Sequence, residues 1–585
     1  MDLVVFGRAA VDLYGEELGA DLDQADRFHK SVGGAAANAA IAAARLGARV
    51  ALLTRVGADP FGSYVARVLE EEGVSTAWVQ RDPQRLTGLV VLGIAGPEHF
   101  PHLFYRNECA DMAFELLPAH RTAVESARGL LLTGTHASTQ ETERASQQLA
   151  RWARGAGRRV ALDIDYRPAL WGEAPLAHGD ARAGRGSGRA GNTLRRLVPL
   201  CDVVVGTEDE IRVVGAREDA REAADTILGL GAHEVVVKEG ARGAWSTTAE
   251  GHEARVDGLG VSVMNALGAG DAFVAAWLTA WLEGHPPATR LEWGNGAGAL
   301  VVTRHACAPA MPTRDELMAY ISSGSVATAD RAHRQVRPQR LGSVLLLALD
   351  HRAYFEELAA RCGRTGGDIE HVKGLVLEGG RAAFRARDLS PGSTGFIIDD
   401  EYGRSLFKDV EGRRLFRPIE DGRSEGLDFI GGTAPALTLR TWPRHHGVKC
   451  KVCLHPDDPA ADRQQRLSRL KELGQACTAL ERPLLLEVLP RRAEAEDLDA
   501  VPALLADCYD QGIQPDLWKL PPPSTGSQWD TICRLIEDRD PACDGVVLLG
   551  NGTPAGELAQ RIQMAKGRRL FRGFAFGRTV FGAAV

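Results

Sequence analysis

A glycine-rich turn leads into an apolar helical segment in the stretch Asn265-Ala266-Leu267-Gly268-Ala269-Gly270-Asp271-Ala272-Phe273. Gly268 and Gly270 let the backbone approach a phosphate without an intervening Cβ. The N–H groups of Ala269 to Asp271 would lie at a helix start, where they lack intrahelical partners and can bind an anion. Asp271 stands where a base is needed beside the transferred group. The stretch predicts phosphoryl chemistry, with a plain capping turn as the alternative.

A second glycine pair stands far upstream, in Gly33-Gly34-Ala35-Ala36-Ala37-Asn38-Ala39-Ala40. Small side chains let a ligand lie close to the backbone, and the Asn38 amide is both donor and acceptor. Alone, this segment is equally typical of a tightly packed alanine-rich helix. Together the two segments resemble the PfkB or ribokinase family of sugar kinases, which has Gly-Gly-x-x-x-Asn near its start and Gly-Ala-Gly-Asp near its end. The resemblance implies ATP and Mg²⁺ as cofactors, and substrate contacts from Gly33, Gly34 and Asn38.

Length and composition limit the class of protein. A chain of 585 residues is too long for one ordinary core, and 44% hydrophobic with 25% charged residues is typical of soluble globular proteins. The net charge of −8 argues against nucleic acid as a partner. No apolar run reaches the roughly 18 residues of a membrane span, and the start lacks a basic signal-peptide region. Ten scattered cysteines predict reduced thiols and a cytoplasmic location.

A polar, arginine-rich stretch separates two halves of the chain. We predict a first domain at 1–321, a linker at 322–340 and a second domain at 341–585. In both halves short apolar strands alternate with helical segments, which predicts the α/β class. With the resemblance above, the first domain is expected to be a ribokinase-like α/β sandwich with a mostly parallel sheet.

The resemblance assigns further residues in the first half. Asp12, in Val11-Asp12-Leu13-Tyr14-Gly15, matches the aspartate that holds sugar hydroxyls, with a helix or turn cap as the alternative. Glu210 matches the glutamate of an Asn-x-x-Glu segment that helps order magnesium and phosphate. Thr207 replaces the asparagine of that segment in this chain.

The nucleotide-binding residues are also implied by the resemblance. Lys238, Gly240 and Gly243 belong to a strand-to-turn segment expected to lie along ATP, and Asn295 falls near the expected adenine pocket. Asn265-Ala266-Leu267 stands where the family usually has Asp-Thr-Thr. This departure weakens any prediction of a monovalent-cation site beside the loop and leaves Asp271 unaffected.

Three segments indicate the sugar. Gly7–Glu16, Phe104–Asp111 and Asp165–Trp171 resemble the 5-dehydro-2-deoxygluconokinases, the kinases of inositol breakdown. Such a substrate has a carboxylate, which Arg106 and Arg167 could bind in bidentate fashion. Either arginine could instead be an ordinary surface residue. Kinases of 2-keto-3-deoxygluconate share the Tyr-Arg-Pro-x-Leu-Trp feature and are the close alternative.

The second half shows strands that end in charged residues, as in TIM (β/α)8 barrels. In order, these segments resemble the class I tagatose-1,6-bisphosphate aldolases over most of 341–585. The segments are Ala348–Arg352, Gly395–Gly403, Gly447–Val452, Pro483–Glu487, Pro515–Leu520, Gly545–Gly550 and Gly573–Arg578.

The aldolase resemblance implies specific roles. Lys519 falls at the Schiff-base position, where burial and neighbouring cations favour a reactive amine. Lys449 and Glu487 match groups that handle protons and position the substrate, and Asp350 matches an acid near its hydroxyls. Arg578 stands where a phosphate would be held. The alternative is a degenerate barrel used for regulation or oligomerisation.

Two functions therefore follow from the sequence. In the first, the chain is bifunctional: one half phosphorylates the acid sugar, and the other cleaves the resulting phosphate to dihydroxyacetone phosphate and malonate semialdehyde. In the second, only the kinase is active and the barrel serves binding or assembly. Both predict small-molecule acid sugars as partners, neither nucleic acid nor a membrane, and a homo-oligomer.

Overall fold

The chain forms two units, Met1–His333 and Arg334–Val585, in this computed structural model. A helix, Arg314–Ser323, runs past the predicted domain end at 321. Most of the predicted linker 322–340 lies outside the described residues, so the three-part division stays a prediction. The structure describes all residues except 17–20, 96–98, 178–187, 305, 327–328, 330–342, 365, 411, 423, 425, 431, 433, 444, 481, 493–494, 551–554 and 583–585.

Short runs of valine and leucine form the strands of the first unit, because β-branched and apolar side chains suit a sheet that is covered on both faces. The predicted strands at 160–165, 202–206 and 234–238 are all present. In chain order the strands are β1 Leu3–Phe6, β2 Ala10–Gly15, β3 Phe28–Gly33, β4 Val50–Gly57, β5 Val79–Asp82, β6 Leu89–Leu92, β7 His102–Tyr105, β8 Gly129–Thr133, β9 Arg159–Asp163, β10 Val203–Thr207, β11 Glu234–Lys238, β12 Gly243–Thr248 and β13 Glu253–Asp257.

Nine of these strands make one sheet in the order β13-β12-β11-β10-β9-β8-β1-β4-β5. Its pairs are parallel from β11 to β5, and only β12 and β13 join antiparallel. A second sheet has the order β3-β2-β6-β7. The predicted α/β fold with a mostly parallel sheet is confirmed.

The helices Ala35–Arg45 and Ala269–Glu283 pack into the same core because many of their buried side chains are small. Ala36, Ala40 and Ala43 of the helix Ala35–Arg45 belong to the same buried cluster as Ala272 and Ala276 of the helix Ala269–Glu283. The helices, in chain order, are α1 Ala35–Arg45, α2 Pro60–Glu71, α3 Pro118–Ser126, α4 Gln140–Gly155, α5 Gly188–Leu197, α6 Glu208–Gly215, α7 Ala220–Gly229, α8 Ala269–Glu283, α9 Pro287–Val302 and α10 Arg314–Ser323.

The second unit contains eight parallel strands that close into a barrel, with β17 paired to β18 and β14 paired to β22. The predicted TIM-type barrel is confirmed. Its strands are β14 Val344–Ala348, β15 Thr394–Ile397, β16 Arg414–Pro418, β17 His446–Leu454, β18 Leu484–Arg492, β20 Leu517–Leu520, β21 Gly545–Leu549 and β22 Phe571–Phe576, and a short β19 Ala495–Glu496 extends β18 at one edge.

Aliphatic side chains such as Leu346, Leu485, Leu517 and Val547 fill the barrel interior. Among the described helices, none is long and apolar enough to cross a membrane. The helices around the barrel are α11 Arg352–Arg361, α12 Gly366–Ala386, α13 Pro435–Arg440, α14 Ala460–Ala479, α15 Val501–Asp510, α16 Gly526–Arg539, α17 Ala555–Ala565 and α18 Arg578–Phe581.

Candidate active site

The turn before α8 is shaped by Asn265 and Gly268. The Oδ1 of buried Asn265 accepts a hydrogen bond from the Leu267 backbone N–H at 3.1 Å, as in an Asx turn. Gly268 has a φ of +86°, which glycine adopts without steric strain. The first bond of α8 runs from the Ala272 N–H to the Gly268 carbonyl at 3.0 Å. The N–H groups of Ala269–Asp271 therefore lack intrahelical partners and can bind an anion, as the sequence predicts.

Asp271 lies in the first turn of α8, and an asparagine from α1 holds its carboxyl group. Asn38 Nδ2 donates to Asp271 Oδ2 at 2.8 Å, so the two glycine-rich segments meet in the folded chain. Burial raises the pKa of Asp271 to about 7; the charge of Asp165 adds to the rise, and the bond from Asn38 opposes it. A carboxylate with this pKa can accept a proton near neutral pH.

The ammonium group of Lys238 lies beside the start of α8. A Cβ at Gly270 would come within 3.3 Å of Lys238 Nζ, and that nitrogen donates to Asp163 Oδ1 at 3.1 Å. Burial opposes the charge on Lys238, but the carboxylates of Asp163 and Glu210 outweigh it and raise the pKa of the lysine. A stable cation beside free helix N–H groups strengthens the anion site.

Glu210, the predicted magnesium residue, stands in the first turn of α6. Its carboxylate accepts hydrogen bonds from the backbone N–H groups of Thr207 at 2.7 Å and Tyr166 at 2.9 Å. With Thr207 it forms a capping box, and further lone pairs on its oxygens remain for a ligand. In the part of the chain that the structure describes, no three His, Cys, Asp or Glu side chains group closely enough to hold a metal ion.

The predicted sugar-binding residues gather where β2 and β3 pair. A Cβ at Gly33 would overlap the Asp12 carboxylate. Gly34 has a φ of +97°, and a Cβ there would clash with the Arg8 carbonyl group. Glycine is therefore required at both positions. Burial raises the pKa of Asp12 to about 7, against the opposing charge of Arg8.

The two predicted carboxylate-binding arginines differ in their surroundings. Arg106 is buried, and its Nε and Nη2 lie 2.7 and 2.6 Å from one oxygen of Asp111. The Arg167 side chain is 42% exposed, and its Nε lies 3.4 Å from Asp165 Oδ1. Asp165 has a φ of +36°, a strained conformation for a residue other than glycine. Arg106 is thus already neutralised by the protein, whereas Arg167 is accessible.

The predicted nucleotide-binding residues lie near β12 and β13. Asn295 Nδ2 donates to the carbonyl groups of Val256 and Asp257, both at 3.2 Å. A Cβ at Gly243 would overlap the Val256 carbonyl group. Asn295 and Gly243 therefore both lie against the backbone of Val256 and Asp257 in β13. Gly240 is exposed, with a φ of +61°, in the turn between β11 and β12. Their roles toward ATP stay predictions.

Buried charged side chains gather at the carboxyl ends of the barrel strands. Lys449 Nζ lies 2.6 Å from Glu420 Oε1 and 3.0 Å from Asp350 Oδ2. Glu487 Oε2 lies 3.2 Å from Lys449 Nζ and accepts a hydrogen bond from Lys519 Nζ at 2.9 Å. The structure brings the four predicted residues together at the end of the barrel where TIM-barrel active sites form, and it adds Glu420.

The charges of this cluster alternate. Burial disfavours the charge on Glu487, but Lys449 and Lys519 outweigh it and lower the pKa of Glu487 to about 2. Burial also opposes the charge on Lys449, and the carboxylates of Asp350, Glu420 and Glu487 raise its pKa well above the usual value. The sequence predicts cations beside Lys519, whereas the structure places the Glu487 carboxylate between the two lysines.

Arg578 begins the helix after β22, so it lies at the same end of the barrel as Lys519. Its guanidinium is 5.8 Å from the centre of the Tyr354 ring. Glu420 was missed by sequence reasoning because β16, Arg414-Leu415-Phe416-Arg417-Pro418, does not form a continuous apolar run. The signal that could have found it is the acid two residues beyond the proline.

A buried carboxylate, a lysine and a helix start with free N–H groups lie close together in the first unit, an arrangement that suits phosphoryl transfer. The chain belongs to the pfkB family of carbohydrate kinases, whose family model matches residues 1–314. Residues 322–585 match a separate family, described as an uncharacterized protein conserved in bacteria.

Named relatives cover the first unit. A 5-dehydro-2-deoxygluconokinase from Lacticaseibacillus casei is 30% identical over 336 residues, which are 57% of this chain and 98% of that protein. The protein of the same name from Bacillus subtilis is 27% identical over 328 residues, 55% of this chain and 97% of its own length. A crystal structure of a PfkB protein from Polaromonas is 29% identical, with a TM-score of 0.47 over 54% of this chain and 99% of that one.

Proposed function

We propose that the first unit transfers the γ-phosphoryl group of ATP to the primary hydroxyl of 5-dehydro-2-deoxygluconate. The observation that supports the chemistry most strongly is the Asn38–Asp271 contact, because it joins the sugar-side segment to a carboxylate at the start of α8. The names of the relatives and the three resembling segments support the choice of sugar.

In this reaction each group has one role. Asp271 accepts the proton of the attacking hydroxyl as the new O–P bond forms. The N–H groups of Ala269–Asp271 and the Lys238 ammonium stabilise the negative charge on the transferred group and on the leaving phosphate. Asp12 accepts hydrogen bonds from substrate hydroxyls, and Asn38 keeps the Asp271 carboxylate oriented.

ATP and Mg²⁺ fit the residues present. The free N–H groups at α8 and Lys238 suit phosphates, and Gly240, Gly243 and Asn295 would lie along the nucleotide. Mg²⁺ takes one or two carboxylates together with phosphate oxygens, so Glu210 would suffice without a dedicated protein cluster. Bound Mg²⁺ would neutralise phosphate charge.

The first unit should work alone. Since the pfkB match ends at residue 314, we expect a fragment of residues 1–321 to fold and to form the phosphate ester of the acid sugar from ATP, measured by mass spectrometry. The matched control is the full chain at equal concentration. A folded fragment without activity would show that the second unit contributes to the kinase.

We propose a second activity for the barrel, supported by the Asp350, Glu420, Lys449, Glu487 and Lys519 cluster. The Lys519 amine attacks the C5 ketone of the 6-phosphate and expels water, which gives an imine. A base then removes the proton of the C3 hydroxyl, the C3–C4 bond breaks, and its electrons pass to the iminium nitrogen. Malonate semialdehyde leaves, and protonation at C4 followed by hydrolysis releases dihydroxyacetone phosphate.

The cluster can supply the protons that these steps need. Glu487 contacts both lysines, so it can pass protons between the imine nitrogen and solvent or substrate. Lys449 stays charged and can hold substrate oxygens, and Arg578 suits the phosphate. A barrel used only for binding or assembly remains the alternative. The homo-oligomer and the cytoplasmic location also stay predictions.

A further inference from the structure

Arg8 is a buried cation to which no described residue bonds through a hydrogen bond or an ion pair. It follows β1, and only 8% of its surface is exposed. Within the described ranges its guanidinium makes neither a hydrogen bond nor an ion pair, and its Nε is fully buried and unsatisfied. The carboxylates of Asp165, Asp111 and Asp12 favour this charge from beyond ion-pair distance, but burial still lowers the pKa of Arg8. A buried charge without a direct contact costs free energy, which an anionic ligand bonded to the guanidinium would offset.

The surroundings of Arg8 place it at the sugar side of the kinase site. Its carbonyl group accepts a hydrogen bond from the Ala37 N–H at 3.3 Å and contacts Gly34, so its backbone is fixed by the segment that binds the sugar. Its guanidinium lies 5.7 Å from the centre of the Phe104 ring. The carboxylate of Asp12, the predicted sugar-binding residue of β2, is among the charges that favour the protonated guanidinium, after those of Asp165 and Asp111.

The two arginines that the sequence singled out, Arg106 and Arg167, each lie beside a carboxylate of the protein. Arg106 contacts Asp111 through two nitrogens, and Arg167 lies near Asp165. Neither carboxylate comes within ion-pair distance of Arg8 in the described part of the chain. Among the described residues of this region, Arg8 is therefore a buried guanidinium that can still bond an anionic ligand directly.

We propose that Arg8 binds the substrate carboxylate and makes the kinase selective for acid sugars over neutral ones. This inference rests on the proposed function, and it moves the carboxylate contact from Arg106 and Arg167 to a residue that the sequence did not single out. A guanidinium suits this role because it offers two parallel N–H donors to a carboxylate. Burial, followed by the charge of Arg106, lowers the pKa of Arg8 against the opposing charges of Asp165, Asp111 and Asp12, and a bound carboxylate would add to these opposing charges.

The test compares 5-dehydro-2-deoxygluconate with its C1 amide in the full-length protein. Arg8→Met should raise KM for the acid on the order of 10²-fold, because truncating a buried charge pair costs that much. KM for the amide should change less than about threefold, so the variant loses its preference for the acid. Arg8→Lys keeps the charge without the paired donors and should raise KM for the acid about tenfold.

Thermal unfolding experiments distinguish a binding role of Arg8 from a structural role. Removing an unpartnered buried charge should leave the thermal transition of Arg8→Met unchanged or raised, while the acid sugar should no longer shift it. The contrast variant Arg106→Met removes the cation beside Asp111. Its thermal transition temperature should therefore fall, and its activity toward the acid and toward the amide should decrease to the same extent.

Three outcomes would overturn the inference. In the first, Arg8→Met and Arg8→Lys keep the wild-type preference for the acid. In the second, both variants lose acid and amide activity equally, which would mean a structural role. In the third, the wild type itself shows no preference for the acid, and then the proposed acid-sugar function fails together with the inference.

Discussion

Replacing Asp271 by Asn should lower the kcat of the kinase on the order of 10²-fold or more, with ATP affinity little changed. Asparagine keeps the size of the side chain and removes the base. Asn38 can still donate to the oxygen at position 271, so the start of α8 should keep its shape. Steady-state kinetics and direct ATP binding measure the two quantities.

The pH dependence provides the control for this variant. Burial raises the pKa of Asp271 to about 7, so the group is protonated below that pH and cannot accept a proton. The wild-type kcat/KM should therefore fall as the pH drops below about 7. In Asp271→Asn that limb should be weaker, with Asp12 as the remaining sugar-side group of similar pKa. Near-full activity in the variant would show that Asp271 is not the base.

Replacing Lys519 by Arg should abolish aldol cleavage of the phosphorylated sugar while kinase activity survives. Arginine keeps the charge beside Glu487 but cannot form an imine. Cleavage is followed by the release of dihydroxyacetone phosphate. Borohydride added with the ketone product should leave a covalent adduct on Lys519 in the wild type and none in the variant.

A neighbouring lysine provides the matched control for this experiment. Lys451 is exposed on the same barrel, so Lys451→Arg should cleave at the wild-type rate. Cleavage that persists in Lys519→Arg, or that a chelator abolishes in the wild type, would contradict a metal-independent imine mechanism.

The position of the Asp271 carboxylate at a helix start follows from the local sequence. Gly268 requires a positive φ, and α8 starts directly after it, so the motif itself fixes the position of Asp271. The alternation of strands and helices likewise predicts the α/β class of both units, since parallel sheets covered on both faces need continuous apolar runs. The contact between Asn38 and Asp271 is possible because the alanine-rich helices α1 and α8 pack in one core.

The pairing of charged side chains could not be predicted in the same way. Which carboxylate lies beside which cation depends on tertiary packing, not on spacing along the chain. Arg106 is paired with Asp111, whereas no residue that the structure describes makes a hydrogen bond or an ion pair with Arg8. In the barrel, Glu487 lies between Lys449 and Lys519, where the sequence predicts cations as neighbours.

The choice of sugar is tested most directly by a substrate panel with the full-length protein. The panel contains 5-dehydro-2-deoxygluconate, 2-keto-3-deoxygluconate, fructose and ribose, and the ATP-dependent formation of each phosphate ester is measured. We predict the highest kcat/KM for 5-dehydro-2-deoxygluconate, since the relatives of the first unit have that name and Arg8 offers a cation to its carboxylate. A higher kcat/KM for fructose, ribose or 2-keto-3-deoxygluconate would contradict the proposed function.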